Sequence, residues 1–152
     1  MLLYSEQILL QTLQHLRDGG ATGIETVVLW LGNVKENGEL KILEVFRPDQ
    51  TAAADRFNIS ANSMRNLMKY LRQTRTKILA QVHSHPNEAF HSRADDEWAI
   101  IRHTGAVSLV IPDFAKNTTE NNFQDKVAAY QLSSSNIWQQ VKFNSIAKDY
   151  QC

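Results

Sequence analysis

Two segments of the chain place apolar residues at helical spacing, one within residues 5–18 and one after residue 60. Their apolar positions are Ile8, Leu9, Leu13, Leu16, Met64, Leu67, Met68 and Leu71. This spacing predicts two amphipathic helices that each bury one face. We expect Gly19 and Gly20 to end the first helix, because glycine accepts the left-handed conformation of a helix C-cap. Ser60 or Ser63 is the expected N-cap of the second helix.

Five runs rich in apolar residues predict β-strands. They span residues 24–32, 39–46, 77–85, 106–112 and 126–132. The sequence Glu-Asn-Gly at 36–38 supplies turn chemistry between the first two runs. Pro86 should end the third run, because proline has no N–H to donate to a neighbouring strand.

The remaining segments are more polar. Residues 48–59 and 113–122 are expected to be loops, and a third helix is expected from about Ser92 to Arg102. The segment from residue 133 onward predicts either a short helix or a strand, and both alternatives stay open. The alternation of helices and strands indicates one mixed α/β domain over residues 1–152.

Composition and charge argue against several classes of function. Lys plus Arg and Asp plus Glu both number 16, so the formal net charge is zero. A nucleic-acid-binding surface needs an excess or a stripe of positive charge. No apolar stretch approaches the roughly 20 residues of a membrane span, and the N-terminus lacks the basic start of a signal peptide. The only cysteine is Cys152, which fits a reducing compartment such as the cytoplasm. We therefore expect a cytoplasmic protein without nucleic-acid or membrane partners.

His83 and His85 stand one residue apart at the end of a predicted strand. Residues i and i+2 of a strand point to the same face, about 6.5 Å apart, so two imidazoles there can reach one metal ion. Asp95 lies three residues after Ser92, on the first turn of the predicted third helix, where the helix dipole favours a carboxylate. Two histidines and one aspartate leave zinc a fourth position for water, as in catalytic sites.

Each half of this pattern also has a purely structural explanation. A His-x-His pair on a strand is typical of surface histidines or of histidines with ordinary hydrogen-bond partners, and Ser-x-x-Asp resembles an N-terminal capping box. The combination in this order, with Pro86 after the second histidine, is more specific than either half.

Glu25 is the candidate for the base that a metal-activated water requires. It opens the apolar run 24–32, where a charged residue needs a reason. The alternative is that Glu25 simply begins the strand at its solvent edge.

Together these residues resemble the JAMM family of zinc metalloproteases, isopeptidases that remove ubiquitin and ubiquitin-like proteins. The family signature is a Glu on an early strand, then His-x-His-Pro, then Ser-x-x-Asp. Glu25 matches the first part, residues 83–86 the second, and Ser92 with Asp95 the third. The resemblance covers roughly residues 5–132. It implies a JAB/MPN-like, cytidine deaminase-like α/β domain with a central mixed sheet flanked by helices.

One spacing departs from the family pattern. Asp95 follows His85 at a distance one residue shorter than is common, and Asp96 would restore that distance but break Ser-x-x-Asp. Asp95 is preferred, because the helix turn sets the serine-to-aspartate spacing whereas the preceding loop can lose a residue. His91 and Glu88 are further candidates, expected to be loop or supporting groups rather than ligands.

The resemblance implies Zn²⁺ bound by His83, His85 and Asp95. It implies that Glu25 takes a proton from the zinc-bound water and later protonates the leaving amine. The hydroxyl of Ser92 would help to hold the oxyanion beside the metal.

The resemblance also implies a substrate, namely a ubiquitin-like protein or its conjugate, cleaved after its C-terminal tail. The chain is similar to the stand-alone bacterial members, whose partners include activating and conjugating enzymes. Three alternatives stay open. They are a peptidase that matures a sulfur-carrier protein, a catalytically inactive scaffold of the same fold, and a folded domain with a fortuitous histidine pair and no metal.

Overall fold

The computed structural model describes residues 1–53 and 56–150. Its helices are α1 (Glu6–Gly20), α2 (Ala61–Thr74), α3 (Arg93–Trp98), α4 (Phe123–Lys126) and α5 (Phe143–Ile146), with one 3₁₀ turn at Asp113–Ala115. Its strands are β1 (Leu2–Tyr4), β2 (Val27–Val34), β3 (Leu40–Phe46), β4 (Thr51–Ala53), β5 (Arg56–Asn58), β6 (Lys77–Ser84), β7 (Val107–Ile111), β8 (Ala128–Leu132), β9 (Trp138–Val141) and β10 (Ala147–Asp149).

A mixed sheet forms the centre of the described part of the chain. Eight strands join in the order β10-β1-β3-β2-β6-β7-β8-β9, while β4 and β5 form a separate antiparallel pair. β2 runs antiparallel to both β3 and β6, and β6 runs parallel to β7. The side chains of β7 are buried throughout, as expected for a strand covered on both faces.

Helices cover the two faces of this sheet. α1 buries the predicted positions Ile8, Leu9, Leu13 and Leu16 in one cluster that also contains Trp30. The neighbouring residues Leu29 and Leu31 of β2 point to the opposite face, where they pack against Leu67 of α2. This alternation follows from the two-residue period of a strand. The predicted fold class, a mixed sheet flanked by helices, is confirmed.

The expected left-handed cap at Gly19 and Gly20 is wrong. α1 continues through both residues, and its C-cap Ala21 has a right-handed φ of −59°. The two glycines are required by close packing instead. A Cβ on Gly19 would lie 1.7 Å from Oγ1 of Thr26, and a Cβ on Gly20 would lie 2.4 Å from Cβ of Phe114. The end of α1 therefore approaches both the segment before β2 and the turn after β7.

Several predicted boundaries also change. β2 begins at Val27, so Glu25 precedes this strand instead of opening it. The expected loop 48–59 contains the strands β4 and β5, and the expected loop 113–122 begins with the 3₁₀ turn. α3 ends at Trp98 rather than near Arg102.

The C-terminal segment combines the two alternatives, with strands β9 and β10 on either side of α5. β1 was not predicted, and it lies between β3 and β10 in the sheet. In the ranges that the structure describes, no helix has both the length and the apolar character that a membrane crossing needs.

Candidate metal centre

The two histidines lie at the C-terminal end of the interior strand β6. His83 lies between Val27 of β2 and Val110 of β7 in the strand register. His85 follows the strand, and its N–H donates to the carbonyl of Ile111 at 2.9 Å. The two imidazole rings lie on one side of the strand with centroids 5.2 Å apart. Both residues are buried.

The start of α3 brings a carboxylate to these rings. Ser92 is the N-cap of α3, and its Oγ accepts a hydrogen bond from the N–H of Asp95 at 3.1 Å. In return, the Ser92 N–H donates to Oδ2 of Asp95 at 2.8 Å. This is a reciprocal capping box. The predicted structural alternative for Ser-x-x-Asp is therefore present, and the same hydrogen bonds hold the Asp95 carboxylate against the histidines.

His83, His85 and Asp95 form the one group of this kind in the described ranges that can hold a metal ion, with ligand atoms all within 4.8 Å of one another. Oδ2 of Asp95 lies 3.2 Å from Nε2 of His83 and 3.0 Å from Nε2 of His85. A tetrahedral ion with bonds of about 2.0–2.1 Å holds neighbouring ligand atoms about 3.3 Å apart. The donor set and its spacing therefore fit a zinc-sized ion.

The pKa values of Asp95 and His85 depend on each other. Burial raises the pKa of the Asp95 carboxyl, but hydrogen bonds from His83 and His85 outweigh burial and hold this pKa well below its ordinary value. Burial is the largest single influence on His85 and lowers its pKa, but the hydrogen bond to Asp95 and the negative charges of Asp95 and Glu25 together raise this pKa overall. An ionised aspartate is the form that binds a cation.

Asp96 does not join the cluster. Its Oδ1 lies 2.5 Å from Nδ1 of His91, and half of its side chain is exposed. The geometry therefore places Asp95, as preferred from the sequence, rather than Asp96 beside the histidines. His91 is buried against the sheet, where its Nε2 lies 3.0 Å from Oγ of Ser108. The ring of His91 thus lies beside that of His83, with centroids 6.1 Å apart, and His91 is outside the group of candidate ligands.

Glu25 and Ser92 line a cavity next to this cluster. The cavity has a volume of about 240 Å³, and its lining residues are Glu25, His85, Pro86, Asn87, Glu88, Phe90 and Ser92. Glu25 is buried, and its charge contributes to the raised pKa of His85. The two predicted catalytic side chains therefore face the same space as one of the candidate ligands. A cavity of about 370 Å³ at Tyr4, Glu6 and Asp149 lies outside this cluster.

Ser84 was missed as a functional residue. Its Oγ accepts a hydrogen bond from the N–H of Thr26 at 3.1 Å, and its own N–H donates to the carbonyl of Thr26 at 3.0 Å. The residue between the two histidines therefore fixes the position next to Glu25. A small polar residue between two histidines was the available signal, but nothing near it in the sequence identifies Thr26 as its partner.

Gln50 was also missed. In the β2–β3 register Leu29 lies opposite Phe46, so the ladder continued by two residues would place Val27 opposite Pro48, which has no N–H. The amide of Gln50 takes this place, with Oε1 accepting from the Val27 N–H at 2.8 Å and Nε2 donating to the Val27 carbonyl at 3.0 Å. A side chain therefore completes the sheet beside Glu25.

A turn of unusual conformation holds the segment that leaves β6. Asp113, Phe114 and Ala115 all have positive φ, at 54°, 51° and 63°, a conformation that costs non-glycine residues roughly 1–2 kcal/mol each. The N–H groups of Asp113 and Phe114 donate to the carbonyls of Asn87 and His85, both at 2.9 Å. Strained backbone of this kind is concentrated at functional sites.

Comparison with known sequences identifies the family. Residues 5–124 match the family described as prokaryotic homologs of the JAB domain. The chain belongs to this family. It is also 34% identical over 131 residues to a Sinorhizobium fredii protein named "Probable metalloprotease y4jG", a match that covers 84% of this chain and 78% of that protein. The JAMM-type resemblance is therefore confirmed. Membership of the JAB family, together with the His83, His85 and Asp95 cluster, supports a metal-dependent peptidase.

Known structures agree with the JAB fold. The solution structure of a Desulfitobacterium hafniense protein superposes with a TM-score of 0.72 at 15% identity, over 99% of this chain and 94% of that chain. The solution structure of a Salinibacter ruber protein gives a TM-score of 0.62 at 19% identity, over 93% and 88%. At these identities the likeness concerns the fold alone.

Proposed function

We propose that the protein is a zinc-dependent peptidase that hydrolyses the peptide or isopeptide bond after the C-terminal tail of a ubiquitin-like protein. His83, His85 and Asp95 would bind the ion, Glu25 would be the general base and acid, and Ser92 would stabilise the oxyanion. The observation that carries the proposal is the convergence of the three ligand atoms within 4.8 Å beside a cavity that Glu25 and Ser92 line.

The donor set favours zinc. Two neutral imidazoles and one carboxylate are typical of catalytic zinc sites, which keep a further position open. When bound, the ion would supply Lewis acidity, which lowers the pKa of a water molecule and polarises a carbonyl oxygen.

Glu25 would move the proton. Its carboxylate is buried beside His85 and lines the cavity, so it can take a proton from the attacking water and deliver it to the departing amine. The hydrogen bonds between Ser84 and Thr26 hold the adjacent backbone in place, which limits the positions that the carboxylate can reach.

Ser92 would stabilise negative charge. Its Oγ already accepts a hydrogen bond from the Asp95 N–H, and a hydroxyl has one proton of its own to donate. The capping box therefore fixes the oxygen while leaving this proton for the carbonyl oxygen of the scissile bond.

The shape of the cavity supports an extended tail as the substrate. Its volume of about 240 Å³ is below the roughly 300–1,000 Å³ of typical small-molecule pockets. A cavity of this volume can hold a few residues of extended main chain but not a folded surface. A flexible C-terminal tail meets this condition, and activating and conjugating enzymes of the same system would be further partners.

The test is hydrolysis of reporter fusions to ubiquitin-like proteins, with a sulfur-carrier fusion included as a separate substrate. We expect zinc-dependent cleavage after the tail of a ubiquitin-like protein. Glu25→Gln should lower turnover by about 10²–10⁴-fold while zinc content, measured by elemental analysis, stays at the wild-type level. Zinc-dependent cleavage of the sulfur-carrier fusion alone would reject the proposed substrate, and full turnover by Glu25→Gln would reject the proposed base.

A further inference from the structure

α3, the helix that supplies Asp95, is too short to be stable without contacts to the rest of the protein. α3 spans six residues, Arg93–Trp98, whereas isolated helices below roughly 12–15 residues are marginal in water. Asp95 must nevertheless stay close to His83 and His85 without support from a long helix. Contacts outside α3 therefore have to fix its position.

A buried imidazole provides such contacts at the start of α3. The side chain of His91 is 2% exposed, and both of its ring nitrogens have partners: Nδ1 with Oδ1 of Asp96 at 2.5 Å and Nε2 with Oγ of Ser108 at 3.0 Å. Its ring also packs against Tyr130 and Trp138, with centroid distances of 4.8 and 5.0 Å. His91 thus joins the first turn of α3 to the strands β7, β8 and β9.

The same polar chain continues to Ile100, the second residue after α3. Ser108 Oγ accepts a hydrogen bond from Nε2 of Gln81 at 2.9 Å, and Oε1 of Gln81 accepts one from the N–H of Ile100 at 2.8 Å. Ser108 and Gln81 are fully buried on the neighbouring strands β7 and β6. One series of linked side chains therefore contacts the first turn of α3 and the segment that follows α3.

The donors in this chain define one arrangement of protons. Because Gln81 donates to Ser108, the hydroxyl proton of Ser108 is available for Nε2 of His91. Nδ1–H of His91 then donates to the carboxylate of Asp96. Every polar group in the chain has a partner in this arrangement, which is the condition under which a buried polar network makes a structure rigid.

We propose that His91 is a positioning residue that acts with Ser108, Gln81 and Asp96 to fix α3, and so keeps Asp95 within reach of His83 and His85. This role rests on the proposed function, since it serves the metal site. It gives a role to a buried imidazole that is neither one of the three candidate ligands nor part of the cavity lining.

Asp96 is the best place to test this role, because its side chain is half exposed and its replacement spares the core. Glu97 is the matched control, since it is the next acidic residue of α3 and forms an exposed ion pair with Arg93 at 3.1 Å. Asp96→Ala removes the partner of His91, whereas Asp96→Asn keeps an oxygen that accepts from Nδ1–H. Comparison of the two separates the hydrogen bond from the charge.

The first measurement is the zinc dissociation constant, from competition with a chromophoric chelator. Loss of groups that orient metal ligands typically weakens affinity about 10–100-fold, so we expect Asp96→Ala to weaken zinc binding at least about tenfold. Asp96→Asn should recover most of this loss, and Glu97→Ala should change affinity by no more than about twofold. Equal affinities of Asp96→Ala and Glu97→Ala would overturn the inference.

The second measurement needs no metal. Amide hydrogen exchange of the zinc-free protein should become faster at Asp95 and Ile100 in Asp96→Ala but not in Glu97→Ala. Unchanged exchange in Asp96→Ala would also overturn the inference. If the wild-type protein bound no zinc, the proposed function would fail instead, and the exchange rates would still decide whether His91 positions α3.

Discussion

Ser60 and Ser92 begin their helices in the same way, since each Oγ accepts a hydrogen bond from the N–H three residues later at 3.1 Å. In α2, which has 14 residues, the residue three positions after the cap Ser60 is Ser63, and this cap lies on the exposed surface. In α3, the residue three positions after the cap Ser92 is Asp95, whose buried carboxylate faces two imidazoles. The hydrogen bond between the serine Oγ and the backbone is therefore the same at both sites, but only at Ser92 does a carboxylate accept a bond from the cap in return and face candidate metal ligands.

The strongest test of this contrast replaces the third residue of each cap. Asp95→Ala removes a candidate ligand, so we expect zinc binding and zinc-dependent turnover to fall to background. Ser63→Ala, the equivalent change in α2, should leave both unchanged. Elemental analysis and a peptidase assay measure these outcomes, and full zinc content in Asp95→Ala would break the contrast.

Replacement of the capping serines should give the next largest effect. Ser92→Ala removes the proposed oxyanion donor, and such a loss typically lowers kcat about 10²–10³-fold. Ser60→Ala removes an equivalent hydroxyl far from the cavity and should leave kcat within the error of the assay. Comparable turnover in the two variants would show that Ser92 is only a helix cap.

Zinc should stabilise the fold through the α3 cap and not through the α2 cap. A free zinc concentration one hundred times Kd stabilises a protein by about 2.7 kcal/mol, which raises the Tm of a chain of this size by about 5–10 °C. We expect this rise in Ser63→Ala and its absence in Asp95→Ala, as measured by thermal unfolding with and without a chelator. An equal rise in both variants would place the ion elsewhere.

The smallest effect concerns α2 alone. Ser60→Ala should lower the free energy of unfolding by about 1 kcal/mol, the usual value of an N-cap, and thus Tm by about 2–4 °C. Urea unfolding of the zinc-free protein checks this value. A Tm that does not change would mean that the exposed hydroxyl contributes nothing beyond its replacement by water.

Long elements were predictable because their patterns repeat. α1 shows several turns of apolar spacing, and the interior strand β7 is apolar except for Ser108. β1, β4, β5 and β10 have three residues each, which is too short for a period to be recognised. β1 and β10 also depend on pairing with strands distant in the chain, whereas β4 and β5 pair with each other.

The candidate site was predictable for a related reason. His83, His85 and Asp95 lie close together in sequence and form a motif that can be recognised without coordinates. Supporting residues could not be found in this way, because their partners are distant: 58 positions separate Ser84 from Thr26, and 27 separate Gln81 from Ser108. The sequence near a polar strand residue does not indicate which other strand will lie beside it.

The pairing of β2 with β6, in which Val27 lies opposite His83, has a consequence for the newly made protein. All three candidate ligands come from one short stretch of chain, but Glu25 reaches them only through this pairing. During synthesis Glu25 emerges before the histidines, and it comes to lie beside them when β6 docks against β2. The proposed base and the candidate ligands therefore assemble no earlier than this long-range strand pairing.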